Sequence, residues 1–284
     1  LRGQNNVQGA ADMGCQPHQG AGYFEVSDEK NQKFYSEKYG VAHPTRAGLK
    51  IPQMFDAAIK KEIKGIWIIG EDIVQTDPNS AHVIDAMNSL ELLVVQEIFM
   101  SETAKLATVV LPGTTFLEKD GTFTNTERRV QRVNRAVPPL QGTKPDGVIV
   151  TDMMQKLGFD QPDYDADQVL AEIADIVPFF KGITRERLGK FGLQWPVKED
   201  GTDTQILHTD EFKLGKGRLK SFDWKESTEI KNNQKDYPLI LTTSRVLQHY
   251  NAATMTRRTN NINIVDEDVL LIHPKDAAER DLNT

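Results

Sequence analysis

Residues 66–69 read Ile-Trp-Ile-Ile, residues 92–96 read Leu-Leu-Val-Val-Gln, and residues 108–111 read Thr-Val-Val-Leu. Each run is short, apolar and rich in β-branched residues, which predicts a buried strand. Helices are predicted between these runs, at about 79–90 and after Ser101, a favourable N-cap residue. Strands that alternate with helices over short connections predict an α/β fold, with helices flanking a parallel sheet.

Polar side chains follow the first two strands where each strand ends. Glu71 and Asp72 follow the first strand, with Thr76 shortly after, and Gln96 and Glu97 close the second. Ligands of parallel sheets bind beyond these strand ends, and carboxylates there can accept hydrogen bonds from guanine or ribose. Each acid alone is more simply explained as a helix N-cap or a solvated side chain. No Gly-x-Gly-x-x-Gly motif follows the strands, which disfavours NAD as the ligand.

Upstream of the sheet, residues 1–14 read Leu-Arg-Gly-Gln-Asn-Asn-Val-Gln-Gly-Ala-Ala-Asp-Met-Gly, without apolar periodicity. The three glycines permit left-handed backbone and close approach of a ligand. Four amide side chains, among them Gln4 and Asn6, offer both donors and acceptors. This density of amides is typical of a loop around a large polar ligand. A glycine-rich turn before a helix is the simpler alternative.

The remaining apolar patterns predict helices at 31–39, 51–64, 165–176, 184–191 and 275–282, and a loop at 192–203. Gly40 and Gly65 are predicted to end the first two helices. Short strands are expected within 205–222 and at 237–243. We predict a first domain at 1–225, a charged linker at 226–236 and a second domain at 237–284.

Composition excludes several classes of protein. The formal net charge of −7 argues against nucleic acid as a partner, because phosphate contacts need a basic face. No apolar run approaches the roughly 18 residues of a membrane-spanning helix. The single cysteine, Cys15, excludes an internal disulfide and a cysteine-ligated iron–sulfur cluster within this chain. Cys15 and His18 alone are too few for a structural zinc site.

Residues 2–14 resemble the active-site loop of molybdenum- or tungsten-dependent formate dehydrogenases, which are catalytic subunits of the molybdopterin oxidoreductase superfamily. In that family an arginine lies beside the metal and a glutamine lies close to it. The resemblance therefore implies that Arg2 and Gln4 are catalytic, and that Gln4 and Asn6 contact the cofactor.

Gly-Glu-Asp at 70–72 and Val-Val-Gln-Glu at 94–97 resemble the family's sites for one guanine dinucleotide of the molybdopterin cofactor. The sheet would then be Rossmann-like. The resemblance implies five cofactor-binding residues here, namely Glu71, Asp72, Thr76, Gln96 and Glu97. The family usually has aspartate at position 97, so Glu97 keeps the carboxylate but reaches one methylene further.

Residues 117–129 read Leu-Glu-Lys-Asp-Gly-Thr-Phe-Thr-Asn-Thr-Glu-Arg-Arg and resemble a segment of members that hold the bis-guanine cofactor. The lysine of that segment contacts cofactor in the family, which implies this role for Lys119. Asp146 matches a second position near the nucleotide. Asp146 could equally stabilise the start of the helix that is predicted to end at Gly158.

Thr-Ser-Arg-Val-Leu-Gln-His-Tyr at 243–250, followed by Met-Thr-Arg at 255–257, resembles the start of the family's C-terminal cap. That cap is a β-barrel of the double-psi type that grips the second pterin, and it would be incomplete here. The resemblance implies cofactor contacts for Thr243, Arg245, His249 and Asn251.

The resemblance implies oxidation of formate to carbon dioxide at molybdenum or tungsten held by bis-molybdopterin guanine dinucleotide. The family's metal-ligating residue and its [4Fe–4S] cluster lie upstream of the arginine loop. We therefore expect this chain to be a fragment that alone is inactive and binds no cofactor. Expected partners are the rest of the same polypeptide and an iron–sulfur or other electron-acceptor subunit, in the cytoplasm or alternatively the periplasm.

Two other functions remain open within the same superfamily. A nitrate reductase shares the cofactor and the Glu-Arg-Arg segment, but those enzymes lack an arginine at the position of Arg2. A scaffold subunit of a respiratory complex shares the fold without the cofactor. Retention of Arg2, Gln4, Lys119, Arg245 and His249 argues against this second alternative.

Overall fold

The computed structural model describes residues 2–212 and 214–282, which divide into two compact units, one ending at Gly217 and one beginning at Arg218. The first unit opens with helix α1 (Val7–Asp12) and a small hairpin of strands β1 (Gln19–Gly20) and β2 (Phe24–Glu25). A 3-10 turn, Ala21–Tyr23, connects the two strands.

Helix α2 (Glu29–Tyr39) confirms the helix predicted at 31–39 and begins two residues earlier. Its start is stabilised by Asp28, whose carboxylate accepts hydrogen bonds from two backbone amides of the first turn. Gly40, at φ 68°, ends the helix as predicted, because glycine adopts left-handed backbone without steric cost.

Helix α3 (Ile51–Ile59) is shorter than the predicted 51–64, and Gly65 does not end it. The chain leaves the helix at Lys61, which adopts a left-handed φ of 61°. The amide of Glu62 then donates to the carbonyl oxygen of Ala57 at 2.8 Å, which closes the last turn. Gly65 instead begins the first strand of the parallel sheet.

That sheet contains strands β3 (Gly65–Ile69), β4 (Leu92–Glu97) and β5 (Val109–Pro112), in the order β3-β4-β5. All pairings are parallel, with Ile66 opposite Leu93 and Val95 opposite Val110. Helices α4 (Ile73–Thr76) and α5 (Ser80–Asn88) connect the first two strands, and α6 (Glu102–Lys105) connects the last two. The predicted α/β fold with a parallel sheet and flanking helices is therefore confirmed.

One hydrophobic core holds the sheet and its helices together. Its fully or almost fully buried members come from α3, α5, α6 and β4, namely Phe55, Ala58, Val83, Ala86, Met87, Leu93, Val95 and Ala104. Each large aliphatic side chain buried here contributes roughly 1.5–3 kcal/mol to folding. This packing aligns the carboxyl ends of the three strands at one edge of the sheet.

A second, antiparallel sheet follows, with strands β6 (Gly121–Thr124), β7 (Arg129–Val133) and β8 (Leu193–Gln194) in the order β6-β7-β8. A 3-10 turn, Phe116–Glu118, precedes β6. Strand β8 lies inside the segment predicted as a loop at 192–203. Gly192 makes this strand possible, because at φ 74° it brings its Cα against the carbonyl oxygen of Val130, where no side chain would fit.

Three helices lie between β7 and β8, namely α7 (Asp146–Lys156), α8 (Ala166–Ile176) and α9 (Arg185–Leu188), with a 3-10 turn at Pro178–Phe180. Helix α8 confirms the helix predicted at 165–176, with Asp165 as its N-cap. Helix α9 is shorter than the predicted 184–191, because Gly189 at φ 49° ends it. Tyr35, Val130, Leu170 and Phe180 belong to the core beneath these elements.

The unit from Arg218 contains helices α10 (Thr228–Asn233) and α11 (Pro274–Ala278) and the 3-10 turns Thr256–Arg258 and Asn260–Asn263. Helix α10 lies inside the segment predicted as a linker, and α11 is shorter than the predicted 275–282. The three-part domain division remains a prediction.

The strands predicted within 205–222 and at 237–243 are absent from the described residues of those segments. A strand needs a neighbour to pair its backbone groups, and no strand is described from residue 205 onward. Apolar side chains such as Leu219 and Ile240 are accordingly exposed. The part of this unit that the structure describes, residues 218–282, contains no closed barrel. In the described ranges, no helix has the length and apolar character needed to cross a membrane.

Candidate functional site

Three residues predicted to bind cofactor meet at the carboxyl edge of the parallel sheet. The side-chain amide of Gln96, in β4, donates to Asp146 Oδ1 at 2.7 Å. Lys119 Nζ forms an ion pair with the other carboxylate oxygen of Asp146. The lysine also lies 3.4 Å from the carbonyl oxygen of Thr114. We call these four residues the sheet-edge cluster.

The sheet-edge cluster contains two buried polar atoms that lack a hydrogen-bond partner in the described part of the chain. They are Gln96 Oε1 and Thr114 Oγ1, on side chains that are 1% and 3% exposed. Leaving a buried polar atom unpaired costs about 1–3 kcal/mol, so such atoms are rare in folded proteins. Both atoms can accept a hydrogen bond from a ligand, and the threonine hydroxyl can also donate one.

Thr114 was missed in the sequence prediction. It follows β5, the third strand, as Gln96 and Glu97 close the second. The rule that ligands bind at strand ends would have found it if it had been applied to all three strands. The indole nitrogen of Trp67, in β3, is a third buried and unpartnered atom within the described residues, and no sequence signal marks it.

Glu97 lies at the same edge, half-buried, and accepts a hydrogen bond from the backbone amide of Ile98 at 2.7 Å. Burial raises the pKa of Glu97, and the negative charges of Asp72 and Glu71 raise this pKa further, against hydrogen bonds from two backbone amides. The acids that follow β3 therefore act electrostatically on the acid that ends β4.

Asp72 accepts hydrogen bonds from the first turn of a neighbouring helix, α6. Its Oδ1 accepts hydrogen bonds from the amide of Thr103 at 3.0 Å and the hydroxyl of Thr103 at 2.7 Å, and Oδ2 lies 3.4 Å from the amide of Glu102. Asp72 thus stabilises the start of α6, not of α4, which follows it directly. Asp72 as a whole residue is 5% exposed. Beside it, exposed Glu71 accepts a hydrogen bond from Thr76 Oγ1 at 2.5 Å.

Arg2 belongs to a second group of residues, at the opening loop. Its guanidinium donates through Nη1 to the Tyr23 hydroxyl at 3.2 Å, and its carbonyl oxygen accepts from Thr126 Oγ1. The Tyr23 hydroxyl donates to the buried carboxylate of Asp12 at 2.7 Å. We call Arg2, Tyr23, Asp12, Gln8 and Trp195 the loop cluster, because Gln8 and Trp195 also donate to Asp12.

Asn6 joins the opening loop to the second sheet. Its Oδ1 accepts a hydrogen bond from the amide of Thr124, in β6, at 2.9 Å, and Asn6 itself adopts φ 55°. Gly9 must lack a side chain, because a Cβ would approach Asn6 Oδ1 to 2.3 Å. Asn6 therefore anchors the loop. Gln4, the predicted neighbour of Arg2, is exposed.

The residues predicted to contact the cofactor from the cap lie in the unit that begins at Arg218. His249 Nε2 lies 2.6 Å from the carbonyl oxygen of Val265, which can only accept, so this nitrogen carries a proton. Nδ1 of His249 lies 3.0 Å from Thr256 Oγ1. Thr243, Arg245 and Asn251 are exposed, and Asn251 adopts φ 51°.

A cavity of about 310 Å³ opens beside Lys119. Its walls include Arg135, Tyr164 and Arg185, and the Arg185 guanidinium is paired with Asp167 at 2.9 Å. Among the described residues, no three His, Cys, Asp or Glu side chains are grouped so as to hold a metal ion, and Cys15 is exposed.

Comparison with known proteins defines the class. The family model described as molybdopterin oxidoreductase matches residues 4–156, more than half of the chain, and the one described as molydopterin dinucleotide binding domain matches residues 239–284. The chain belongs to the molybdopterin oxidoreductase family.

Among curated proteins, the chain is similar to the F420-dependent formate dehydrogenase subunit alpha of Methanocaldococcus jannaschii, with 44% identity over 98% of this chain. It is also 42% identical, again over 98% of its length, to the F420-dependent formate dehydrogenase 2 subunit alpha of Methanococcus maripaludis. The chain spans about two fifths of these relatives, 41% and 42% of their lengths respectively.

Among solved structures, acetylene hydratase from Pelobacter acetylenicus matches with a TM-score of 0.61 and 22% sequence identity. The match covers 88% of this chain and 37% of that one. At this identity the comparison supports the fold alone.

Proposed function

We propose that this chain is part of a formate dehydrogenase that holds a molybdenum or tungsten bis-molybdopterin guanine dinucleotide and oxidises formate to carbon dioxide. The observation that carries the proposal is Arg2, which lies in a stretch that resembles the active-site loop of formate dehydrogenases. The curated relatives of the chain are named formate dehydrogenase subunits. Within the described residues, its guanidinium donates only to Tyr23, so further N–H groups remain for a substrate. A guanidinium fork matches a carboxylate with two parallel hydrogen bonds.

The sheet-edge cluster fits a guanine dinucleotide. Guanine presents N1–H and N2–H₂ as adjacent donors, and the unpartnered Gln96 Oε1 and the half-buried Glu97 are acceptors at one strand end. Lys119 carries the positive charge that a phosphate needs. Thr114 Oγ1 would pair with a further polar group of the ligand. The donors and acceptors present here therefore complement the cofactor.

The other predicted contacts remain part of the proposal. Exposed Glu71 and half-buried Thr76 would bind ribose hydroxyls, while Asp146 would keep Lys119 oriented. Asp72 would support the cofactor site indirectly, by holding α6 against the edge of the sheet, because its carboxylate oxygens already accept hydrogen bonds from α6. Thr243, Arg245, His249 and Asn251 are proposed to contact the second dinucleotide.

Formate loses two electrons and one proton when it becomes carbon dioxide. When bound, the metal centre would accept the two electrons. Arg2 would bind and orient the formate carboxylate, and its charge would favour the anion over neutral molecules. Gln4, two residues further along the loop, would hydrogen-bond beside the substrate. Asn6 would hold the loop in place through Thr124.

The rest of the machinery is proposed to lie outside this chain. A [4Fe–4S] cluster in the rest of the polypeptide and an iron–sulfur or other electron-acceptor subunit would carry the electrons away. We propose a cytoplasmic enzyme that acts without nucleic acid and without membrane insertion, and we propose that this chain alone is inactive.

Replacement of Arg2 by lysine in the complete enzyme tests the proposal. Lysine keeps the charge but loses the two-point fork, which is worth about 1.5–3 kcal/mol. We expect kcat/KM for formate to fall roughly ten- to a hundredfold, while metal and pterin content stay unchanged. Arg46→Lys, at an exposed position, is the matched control. Near-normal kcat/KM in Arg2→Lys would remove Arg2 as the formate anchor.

A further inference from the structure

Asp12 is an unusual carboxylate, because it is 0% exposed and accepts hydrogen bonds from three different side chains. Its Oδ1 accepts from the Tyr23 hydroxyl at 2.7 Å and from Gln8 Nε2 at 2.8 Å. Its Oδ2 accepts from the indole nitrogen of Trp195 at 2.8 Å. Tryptophan Nε1 and glutamine Nε2 can only donate, so both carboxylate oxygens must act as acceptors.

The direction of the Tyr23 hydroxyl follows from the same donors and acceptors. Its oxygen lies 3.2 Å from Arg2 Nη1 and 3.0 Å from Gln8 Nε2, and both of these nitrogens are donors. The lone pairs of the hydroxyl are therefore occupied, and its proton goes to Asp12. The chain of bonds runs from Arg2 to Tyr23 to Asp12 without a free choice of orientation.

The ring of Tyr23 is also held firmly. It stacks on Phe179 at 6.1 Å between ring centroids, and Phe179 in turn lies 4.5 Å from Trp195. The backbone of Tyr23 adopts φ 63°, which is rare for a bulky residue. The surrounding contacts maintain this conformation, which points the hydroxyl at Arg2.

We propose that Asp12, Gln8 and Tyr23 together position the Arg2 guanidinium for the formate carboxylate, so that Tyr23 is a positioning residue for this substrate. The inference rests on the proposed function of Arg2. An arginine side chain has several rotatable bonds, and fixing one Nη atom before the substrate arrives lowers the entropy cost of binding. The remaining N–H groups of the fork are then held in one orientation.

The first test compares Tyr23→Phe with Tyr39→Phe in the complete enzyme. Both substitutions remove one hydroxyl, but Tyr39 lies on α2 and is 49% exposed. We expect Tyr23→Phe to raise the KM for formate about tenfold with little change in kcat, at unchanged pterin content. Tyr39→Phe should match the wild type. An unchanged KM in folded, cofactor-containing Tyr23→Phe would overturn the proposal.

A readout other than turnover is the protection of Arg2 from phenylglyoxal, followed by peptide mass mapping under anaerobic conditions without electron acceptor. Formate should protect Arg2 in both proteins, but Tyr23→Phe should need about ten times more formate. Protection at the same concentration in both proteins would contradict the positioning role. If Tyr23→Phe does not fold, Gln8→Met replaces it in both experiments, because it removes the donor to Tyr23 and Asp12 and preserves the tyrosine ring. The same rise in the KM for formate is expected, and an unchanged KM would contradict the positioning role.

The double substitution separates this inference from the proposed function. If Tyr23 acts through Arg2, Tyr23→Phe should change kcat/KM less than twofold in an Arg2→Ala background. A full tenfold further loss would show that Tyr23 acts independently, and would overturn the inference. If Arg2→Ala alone keeps the wild-type kcat/KM and formate does not protect Arg2 in the wild type, Arg2 does not bind formate. The proposed function of Arg2 is then wrong, whatever Tyr23→Phe shows.

Discussion

The loop cluster and the sheet-edge cluster differ in how completely the chain satisfies its own polar groups. Around Asp12, the two carboxylate oxygens, the Tyr23 hydroxyl and the Trp195 nitrogen all have partners. At the sheet edge, Gln96 Oε1 and Thr114 Oγ1 have none among the described residues. A complete network can fix the position of a side chain without a ligand, whereas an incomplete one indicates that something else must supply the missing bonds.

The largest effect within this comparison is expected for Lys119→Met in the complete enzyme. The substitution removes the charge proposed to meet a phosphate and leaves the Asp146 carboxylate without its ion-pair partner. A charge-assisted hydrogen bond is worth about 1.5–3 kcal/mol, so the affinity for the dinucleotide should fall roughly ten- to a hundredfold. The measurement is pterin content per mole after dilution and gel filtration.

Lys64→Met is the matched control for that experiment. Lys64 also pairs with a carboxylate, that of Glu91 at 2.9 Å, but both side chains are about two-thirds exposed or more. Such surface pairs contribute little, so pterin content should stay at the wild-type value. Equal pterin loss in both variants, or none in Lys119→Met, would remove Lys119 from the proposed cofactor site.

A sharper comparison uses two buried threonines at the same end of the sheet. Thr114 has an unpartnered hydroxyl, while the Thr103 hydroxyl donates to Asp72 and accepts from the amide of Val74. Thr114→Val should lower pterin retention by roughly tenfold but leave the cofactor-free protein as stable as the wild type. Thr103→Val should lower the free energy of unfolding by about 1–3 kcal/mol.

The two threonine variants are distinguished by measuring pterin content and urea unfolding on the same preparations. If Thr114→Val destabilises the cofactor-free protein as much as Thr103→Val does, another protein group pairs with Thr114 Oγ1. The idea that the sheet-edge cluster is incomplete without a ligand would then be wrong.

The smallest effect is expected for the pH dependence of stability at Glu97. Burial raises its pKa above the ordinary 4.5, so the folded protein holds a proton that the unfolded chain releases. The contribution of protonated Glu97 to stability is therefore present below pH 4.5 and lost as the pH rises through the raised pKa. Relative to wild type, cofactor-free Glu97→Gln should become more stable as the pH rises from 4.5 to 7.5.

The control for Glu97 is Glu91→Gln, at an exposed position, followed across the same pH range. In the cofactor-loaded enzyme, donors from guanine would favour the charged carboxylate of Glu97, so the pH-dependent difference should shrink. The same pH slope with and without cofactor would contradict a contact between Glu97 and the base.

The sheet was predictable because its strands are apolar runs bounded by polar residues, and that pattern is local. Gln96 was found by the same reasoning, since it closes β4. Lys119 and Asp146 came from the family resemblance, and the structure brings Asp146 to Gln96 and Lys119 to Asp146. The predicted end of α3 was wrong because Lys61 adopts left-handed backbone, which the periodicity of apolar side chains does not encode.

Long-range partners could not be predicted from the sequence. Asp12 accepts a hydrogen bond from Trp195, 183 residues away, and Asp72 stabilises a helix that begins 30 residues later. Such pairings depend on how distant elements pack, and each residue alone is compatible with many partners. The strands predicted at 205–222 and 237–243 are wrong for a related reason, because a strand depends on neighbours that an apolar pattern does not identify.

The measurement that tests the central claim most directly is a high-resolution density map of the complete enzyme as isolated. The account predicts polar atoms of a dinucleotide within about 3.2 Å of Gln96 Oε1 and of Thr114 Oγ1. It also predicts that the hydrogen bonds among Asp12, Tyr23 and Arg2 are the same with and without that ligand. Protein side chains or ordered waters pairing with both sheet-edge atoms, and a dinucleotide bound elsewhere, would contradict it.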